Sequence, residues 1–482
     1  MNRPIRTRFA PAPTGLMHLG NVRTALINYL FARQKNGTCI LRIEDTDAQR
    51  NFDPGGKKIM EDLAWLNLEY DETPVKKGEY GPYIQSQRAA FYENRLQYLI
   101  ERNLVYRCFC TTEDLEQKRQ RQISLKLPPR YDRTCRNLPA AIVLEYLEQQ
   151  KPFIWRFELD PNQTVTIQDM AHDKVVFHLK NFSDLPLTRR DGTFTFMFTN
   201  CVDDIAMNIS HIFRGEDHLT NTAGQAALFH AFSAPLPTYW HMPIICNIDG
   251  KKLSKRDFGF ALNDLRHAGY LPEAICNYLG TIGGGSFANE IMSLSELVNA
   301  VDFDNITTTG HVRYSTERLE WINHKWINTY PLDSLTDLCL PFLQKVYPMA
   351  TTIDKHDLMR MIQMLKGDIA TIKDIIQALH FYFIVPEVTP AVLEQTVPTA
   401  AASTIAVILQ QHSDSIDQPE QWLSTIKKVA KEQNIGMKDL FSFIRLALTG
   451  QAHGPSVHDL ATILGSAETR QRIERLLEHY KQ

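Results

Sequence analysis

The sequence predicts an α/β protein: a doubly wound parallel core with an α+β insertion, followed by an all-α C-terminal half. Three observations carry this reading. Residues 6–47 alternate strand, loop, helix and strand. Short strand-forming runs then recur among helical segments as far as Arg214. Beyond about Leu262 the β-branched runs thin out and amphipathic helices take over.

Arg6–Ala10 reads as the first strand, and Pro11, Pro13 and Gly15 break it into a loop. From Val22 to Gln34 the residues Ala25, Leu26, Tyr29, Leu30 and Ala32 recur at helical spacing. Cys39–Ile43 is the second strand, with Glu44–Asp47 just past its end, where such folds bind ligands. Lys58–Leu66 and Arg88–Arg102 read as helices. Phe153–Phe157 and Val175–Leu179 read as strands of an inserted module that also holds a cysteine cluster. Phe194–Val202 and Ser210–Arg214 read as strands, and about Asn221–Phe232 as a helix. Further on, Asp357–Phe383 carries apolar residues at 3–4 spacing throughout and reads as one helix. Pro386–Ala402 reads as a linker, and Trp422–Gln433 and Met437–Leu448 as helices. The expected division is 1–100 with 186–261 as core, 101–185 as insertion, 262–325 as a helical module and 326–482 as the all-α region.

Composition bounds the rest. The 482 residues are 44% hydrophobic, enough for several packed domains. A net charge of −3 announces no global field for nucleic acid, though a local basic face fits within it. Eight cysteines over this length do not make a disulfide framework. No apolar run is long enough for a membrane span, and the basic start lacks the apolar segment of a leader, so a cytoplasmic protein is expected.

Two segments carry most of the chemistry. His18 follows a proline-rich turn and opens a helix, whose free N–H groups and partial positive charge suit phosphate. Gly20 lets a ligand approach the backbone. Some 230 residues on, Lys252, Lys255 and Arg256 surround Ser254 on a loop, three cations suited to a polyphosphate leaving group. Arg8 and Arg214 can each hold a carboxylate through two parallel bonds, and Glu44 can face an ammonium.

The ordered set Ala10–Asn21, Arg42–Asp47, Gly81–Arg88, Val202–Asp204, Arg214–His218, Lys252–Arg256 and Leu446–Gly450 resembles the bacterial-type glutamyl-tRNA synthetases of class I over nearly the full length. The resemblance implies a Rossmann-type catalytic core and an anticodon-reading helical half. It implies that L-glutamate is activated by ATP, supplied with Mg²⁺, and passed to the 3′ end of tRNA(Glu) by a monomeric cytoplasmic enzyme. Its catalytic residues would be His18 and Lys255. ATP would be bound by His18, Gly20, Asp217, Ile245, Lys252, Ser254, Lys255 and Arg256. Glutamate would be bound by Arg8, Ala10, Ala12, Glu44, Phe196 and Arg214.

Some positions depart from the family pattern. Ala12 stands where the family usually has serine, and Phe196 where it has tyrosine. Cys108, Cys110 and Cys135 have the spacing of a zinc site in some family members, but the usual histidine position is Asn137. Tyr131 is the alternative fourth ligand, and a metal-free reduced cluster is the competing reading. Met364–Asp368 lacks an arginine associated in the family with tRNA choice, which leans towards charging of tRNA(Gln) as well and leaves tRNA(Glu) alone as the alternative. Two rival readings are a short paralogue that glutamylates a tRNA base, and a non-catalytic tRNA-binding relative. The length argues against the first, and His18, Lys255 and Glu44 against the second.

Overall fold

The structure, a computed structural model, describes residues 3–254, 256–283, 287–306, 310 and 312–480. The chain divides into two compact units: Met1–Leu265 with Pro272–Arg318, and Arg266–Leu271 with Leu319–Gln482. Among the described residues no helix is long and apolar enough to cross a membrane.

The first unit opens on β1 (Arg6–Phe9), the helix Leu19–Gln34 and β2 (Thr38–Leu41), which pairs parallel with β1 in the register Arg6–Thr38. The helix buries Leu19, Val22, Ala25, Leu26 and Leu30. It ends where Asn36 turns to a φ of 51°, a conformation asparagine tolerates. Next come β3 (Val105–Cys108), β4 (Ile154–Phe157), β5 (Thr164–Asp169), β6 (Asp173–His178) and β7 (Leu185–Pro186). The central strands β8 (His211–Gly215) and β9 (Thr238–Met242) follow, then the short parallel pair β10 (Ile245–Cys246) and β11 (Val312–Arg313).

A four-stranded sheet runs β6–β5–β9–β8, parallel except for the β5–β6 hairpin. The β1–β2 pair lies beside it, with the Ser210 amide donating to the Arg6 carbonyl at 3.0 Å. A separate antiparallel sheet, β3–β4–β7, belongs to the cysteine-bearing module. The segment Val175–Leu179, expected in that module, instead contributes β6 to the main sheet. The joint is the parallel pairing of Gln168 and Asp169 with Thr238 and Tyr239.

Three further expectations are corrected. Phe194–Val202 is not a strand: a helix runs Phe196–Ala206. A short apolar run does not distinguish a buried helix from a strand, and here Phe198, Cys201 and Val202 are buried at helical spacing. Asp357–Phe383 is not one helix. Lys355–Leu365 ends ahead of Gly367, and a new turn starts at Thr371, whose side chain and that of Asp374 cap one another's backbone. Pro386–Ala402 is not a linker, since helices Pro390–Thr396 and Thr399–Gln411 occupy most of it. Each of those two opens at a proline, which is compatible with a first turn. The second unit packs its helices around Trp422, Ile426, Leu440 and Phe443, all fully buried.

The helix Phe196–Ala206 carries Asp203 and Asp204 into the first unit's interior, where they meet buried arginines. Arg42, 0% exposed, donates to Glu44 Oε1 at 2.9 Å and to Asp204 Oδ1 at 2.8 Å. Arg8 grips Asp204 through two bonds of 3.0 and 3.2 Å. Arg88 donates to Asp203 Oδ1 at 2.7 Å, while Gln85 and the Tyr92 hydroxyl donate to its Oδ2, both at 2.8 Å. Burial alone would raise the Asp204 carboxyl, but Arg8 and Arg42 hold it below its ordinary value. Removing one member strands a buried charge. Asp203→Ala is therefore expected to lower the stability of the folded protein by about 3–5 kcal/mol in denaturant titration; a loss under about 1 kcal/mol would show the network to be dispensable.

Candidate active site

A cleft of about 460 Å³ opens beyond the carboxyl ends of β1, β2 and β8, against the N-terminus of the helix Leu19–Gln34. Parallel sheets place ligands there. Its lining includes Arg8, Ala10, Ala12, His18, Gly20, Glu44, Phe196, Arg214, Asp217, Ile245 and Lys252. Those eleven expected residues are thus brought together. Ser254 and Arg256 are exposed and not among the lining residues, and Ser254 instead bonds Asp257 at 2.8 Å. Lys255 lies outside the described residues.

His18 is the N-cap of the helix. Its Nδ1 accepts the Asn21 amide at 3.3 Å, and the Asn21 side chain accepts the His18 amide at 3.4 Å. With Nδ1 accepting, the proton of the neutral ring sits on Nε2, which is thereby a donor. Burial, and then the charge of Lys252, lower the His18 pKa, so the ring is neutral near pH 7. The ring stacks on Phe260 with centroids 5.1 Å apart. Gly20 lines the cleft and has a further duty within the chain. A Cβ there would meet His18 Cε1 and Nδ1 at 3.0 Å, so the glycine makes room for the imidazole. Gly215 does the same for Asp217, whose Oδ1 would lie 2.6 Å from an added Cβ. Asp217 in turn pairs with Lys252 at 3.0 Å across the cleft mouth.

The inner end of the cleft is strongly charged. Arg214 is buried and donates to the neutral oxygens of Gln225 (2.8 Å) and Thr222 (2.6 Å), and its Nε has no hydrogen-bond partner. Burial pulls its pKa down to about 10, which leaves it a cation at neutral pH. Arg8 differs, for its fork is committed to Asp204. Glu44 accepts from Arg42 and from Asn200, the latter at 2.7 Å, both on Oε1. Burial raises its pKa, against the pull of Arg42. An uncompensated guanidinium beside a carboxylate with a raised pKa suits a ligand bearing both a carboxylate and an ammonium.

Sequence reasoning missed Asn200 as a lining residue and gave His218 no role, although both face the cleft. His218 lies against Phe196, ring centroids 5.8 Å apart. The signal for Asn200 was the helix itself. Phe196, Thr199, Asn200, Asp203 and Asp204 fall on one helical stripe, which a strand reading scatters over two faces.

Away from the cleft, the sulfurs of Cys108, Cys110 and Cys135 lie within 4.8 Å of one another. The Cys110 and Cys135 sulfurs are 3.5 Å apart, close to the roughly 3.7 Å edge of a tetrahedron with 2.3 Å zinc–sulfur bonds. The Tyr131 hydroxyl is 3.3 Å from Cys108 Sγ and 3.9 Å from Cys110 Sγ, whereas Asn137 is exposed. Hydrogen bonding from Cys135, above all, draws the Cys108 thiol below its ordinary pKa. Three thiols this close are a donor set that fits zinc, and the Tyr131 hydroxyl is a side-chain oxygen beside them.

A parallel-sheet core, a histidine-capped helix N-terminus and a charged inner cleft accord with a class I aminoacyl-tRNA synthetase catalytic unit. Residues 4–321 match the family described as tRNA synthetases class I (E and Q), catalytic domain, and residues 334–477 match an anticodon binding domain. The chain is 35% identical to a glutamate–tRNA ligase of Listeria welshimeri, over 98% of this chain and 99% of that protein. It is 33% identical to one from Bacillus subtilis, over 99% of this chain and 100% of that protein. A crystal structure of a glutamate tRNA ligase from Elizabethkingia meningosepticum in complex with its amino acid superposes with a TM-score of 0.86. That match is at 32% identity and covers 98% of this chain and 99% of the other. The chain belongs to the glutamate–tRNA ligase family.

The close approach at Gly20 gives a test of the histidine's placement. Gly20→Ala is expected to fold normally but to lower the rate of ATP-dependent amino-acid activation about tenfold or more, by displacing the ring. An unchanged rate would mean that the imidazole position is not critical.

Proposed function

We propose that this chain activates L-glutamate with ATP and transfers the glutamyl group to tRNA(Glu) in the cytoplasm. The observation that supports this most directly is the buried Arg214 guanidinium, which bonds neutral oxygens alone among the described residues and faces the same cleft as Glu44 and His18. In this reading the Arg214 fork takes a substrate carboxylate and Glu44 takes the α-ammonium, with Asn200 fixing the Glu44 carboxylate. The α-carboxylate then lies where it can attack the α-phosphorus of ATP, which enters as its Mg²⁺ complex. His18 Nε2–H donates to the α-phosphate as negative charge builds there, and the helix N-terminus adds its partial positive charge. The carboxylate oxygen–phosphorus bond forms as the bond to pyrophosphate breaks. Lys252, now paired with Asp217, and Lys255, by family resemblance, receive the leaving group. The 3′-terminal hydroxyl of tRNA next attacks the glutamyl carbonyl and AMP departs. No enzyme side chain forms a covalent bond, so placement and charge stabilisation supply the rate.

The assay is ATP–pyrophosphate exchange requiring both glutamate and tRNA. Dependence on another amino acid would overturn the reading. Within it, Arg214→Gln is expected to raise the glutamate KM at least about tenfold with little change in the ATP KM, because a charge-assisted pair is lost. Arg8→Gln is expected to affect folding stability more than glutamate KM, because its partner is Asp204. The reverse pattern would make Arg8 the carboxylate receiver.

We further propose that Cys108, Cys110, Cys135 and Tyr131 hold a structural zinc. Bound there, the metal would tie the β3 end to the loop of Tyr131–Cys135. Metal analysis of protein purified without chelators should give about one zinc per chain. Tyr131→Phe should lower the occupancy, whereas Asn137→Ala should not. The absence of an arginine in Met364–Asp368 also supports charging of tRNA(Gln), read directly by aminoacylation of the purified transcript.

A further inference from the structure

Behind Arg214 runs a chain of buried groups that the reaction itself does not use. Arg214 Nη2 donates to Thr222 Oγ1 at 2.6 Å. Thr222 Oγ1 is 2.8 Å from His241 Nε2, and His241 Nδ1 is 2.7 Å from Asp169 Oδ2. Thr222 and Asp169 are 0% exposed and His241 is 1% exposed. The three come from different elements: Thr222 from the helix Leu219–Ala231, His241 from β9 and Asp169 from the end of β5. The parallel pairing of Asp169 with Tyr239 brings the carboxylate to the imidazole.

The proton order follows from the partners. Burial alone would raise the Asp169 carboxyl. Bonds from His241, the Ala171 amide and His172 hold it well below the ordinary range, so it is ionised. An ionised Asp169 accepts the His241 Nδ1–H, which leaves Nε2 as an acceptor for the Thr222 hydroxyl proton. The His218 carbonyl competes for that proton from a longer 3.2 Å. With its proton turned to His241, the Thr222 oxygen presents lone pairs to the guanidinium. Carboxylate, imidazole and hydroxyl in a row also resemble a nucleophilic triad. That reading fails, because the hydroxyl oxygen is sealed from solvent and already occupied by Arg214.

We infer that Asp169, His241 and Thr222 are positioning residues that hold the Arg214 fork open towards the substrate without neutralising it. A carboxylate touching Arg214 directly would fix it equally well, but would compete with the ligand's own carboxylate. Two neutral groups between them transmit orientation and polarisation while leaving the charge free. The other arm is built the same way. Arg214 Nη1 donates to Gln225, Gln225 donates to Asn200 Oδ1 at 3.0 Å, and Asn200 donates to Glu44. The inference rests on the reading of Arg214 as the receiver of the substrate carboxylate.

The test uses the full chain in glutamate-dependent pyrophosphate exchange with tRNA. Thr222→Val keeps the side-chain shape and removes the hydroxyl. It is expected to raise the glutamate KM about tenfold or more while the ATP KM stays within about twofold. Thr222→Ser, which restores the hydroxyl, should bring the glutamate KM back to within about threefold of the parent. A parent-like glutamate KM in Thr222→Val would overturn the inference. So would glutamate and ATP KM rising together, which is the mark of a merely structural role. If Thr222→Val does not fold, His241→Gln replaces it, with the same selective rise expected and the same overturning results. Arg214→Gln is the reference arm. If it leaves the glutamate KM unchanged, the reading of Arg214 fails first. If it raises that KM and Thr222→Val does not, the relay alone is refuted.

Discussion

The catalytic unit depends on one constraint: charges buried together must nearly balance. Four guanidiniums, those of Arg8, Arg42, Arg88 and Arg214, share the interior with the carboxylates of Glu44, Asp203 and Asp204. Three arginines are paired by direct ion contact, and Arg214 is not. Desolvating any one of these ions alone is costly, so the paired set fixes how the helix Phe196–Ala206 sits against β1 and β2. The geometry of the cleft follows from that packing. Arg42 holds Glu44 at the end of β2, and Arg8 locks the end of β1 to the same helix. Arg214 is the cation that this balance leaves with neutral partners alone.

The His18 end of the cleft is governed by local rather than long-range chemistry. His18 caps a helix, and that single bond fixes its tautomer, its ring plane and the direction of its remaining N–H. The glycine two residues on is needed because the ring has to fold back over the first turn. The same logic ties Gly215 to Asp217. Gly20, first read as access for a ligand, also gives room to a side chain that lines the cleft, and Gly215 gives room to Asp217. An alanine at either place would crowd the polar side chain beside it.

Much of this was legible in the sequence, and the reasons are specific. The strand, helix and strand from Arg6 to Leu41 carry their own breakers and spacing, so local rules sufficed. Eleven expected site residues were found lining one cleft because motif order constrains them jointly. What failed depended on partners distant in the chain. The helix Phe196–Ala206 was read as a strand because apolar residues at 194–202 satisfy both periods, and only the buried arginines explain Asp203 and Asp204. Asp169 and His241, 72 residues apart, gave no local sign of meeting. The breaks within 357–383 and the helices within 386–402 show the opposite error. Hydrophobic spacing was trusted past a glycine, and prolines were taken as linkers where they open helices.

The charged inner end of the cleft bears on how Ala12 and Phe196 can be tolerated. Burial raises the Glu44 pKa and lowers that of Arg214, so each group's charged form is disfavoured by the site as it stands. An ammonium beside Glu44 and a carboxylate on Arg214 would favour both charged forms at once, since linkage works in both directions. Charge-assisted contacts of this kind outweigh neutral hydroxyl contacts, at about 1.5–3 against 0.5–1.5 kcal/mol each. In the proposed reading, a pocket that offers Arg214 without an ionic partner, and Glu44 held by Arg42, can therefore lose a serine and a tyrosine hydroxyl and still select its ligand by charge. The Phe196 ring then keeps an apolar duty, packing against His218 at the cleft wall. Selection by charge places its demand on the groups that keep Arg214 and Glu44 apart. In this chain those groups are Gln225 and Asn200, which link the guanidinium to Glu44, while Thr222 and His241 lead from its other arm to Asp169.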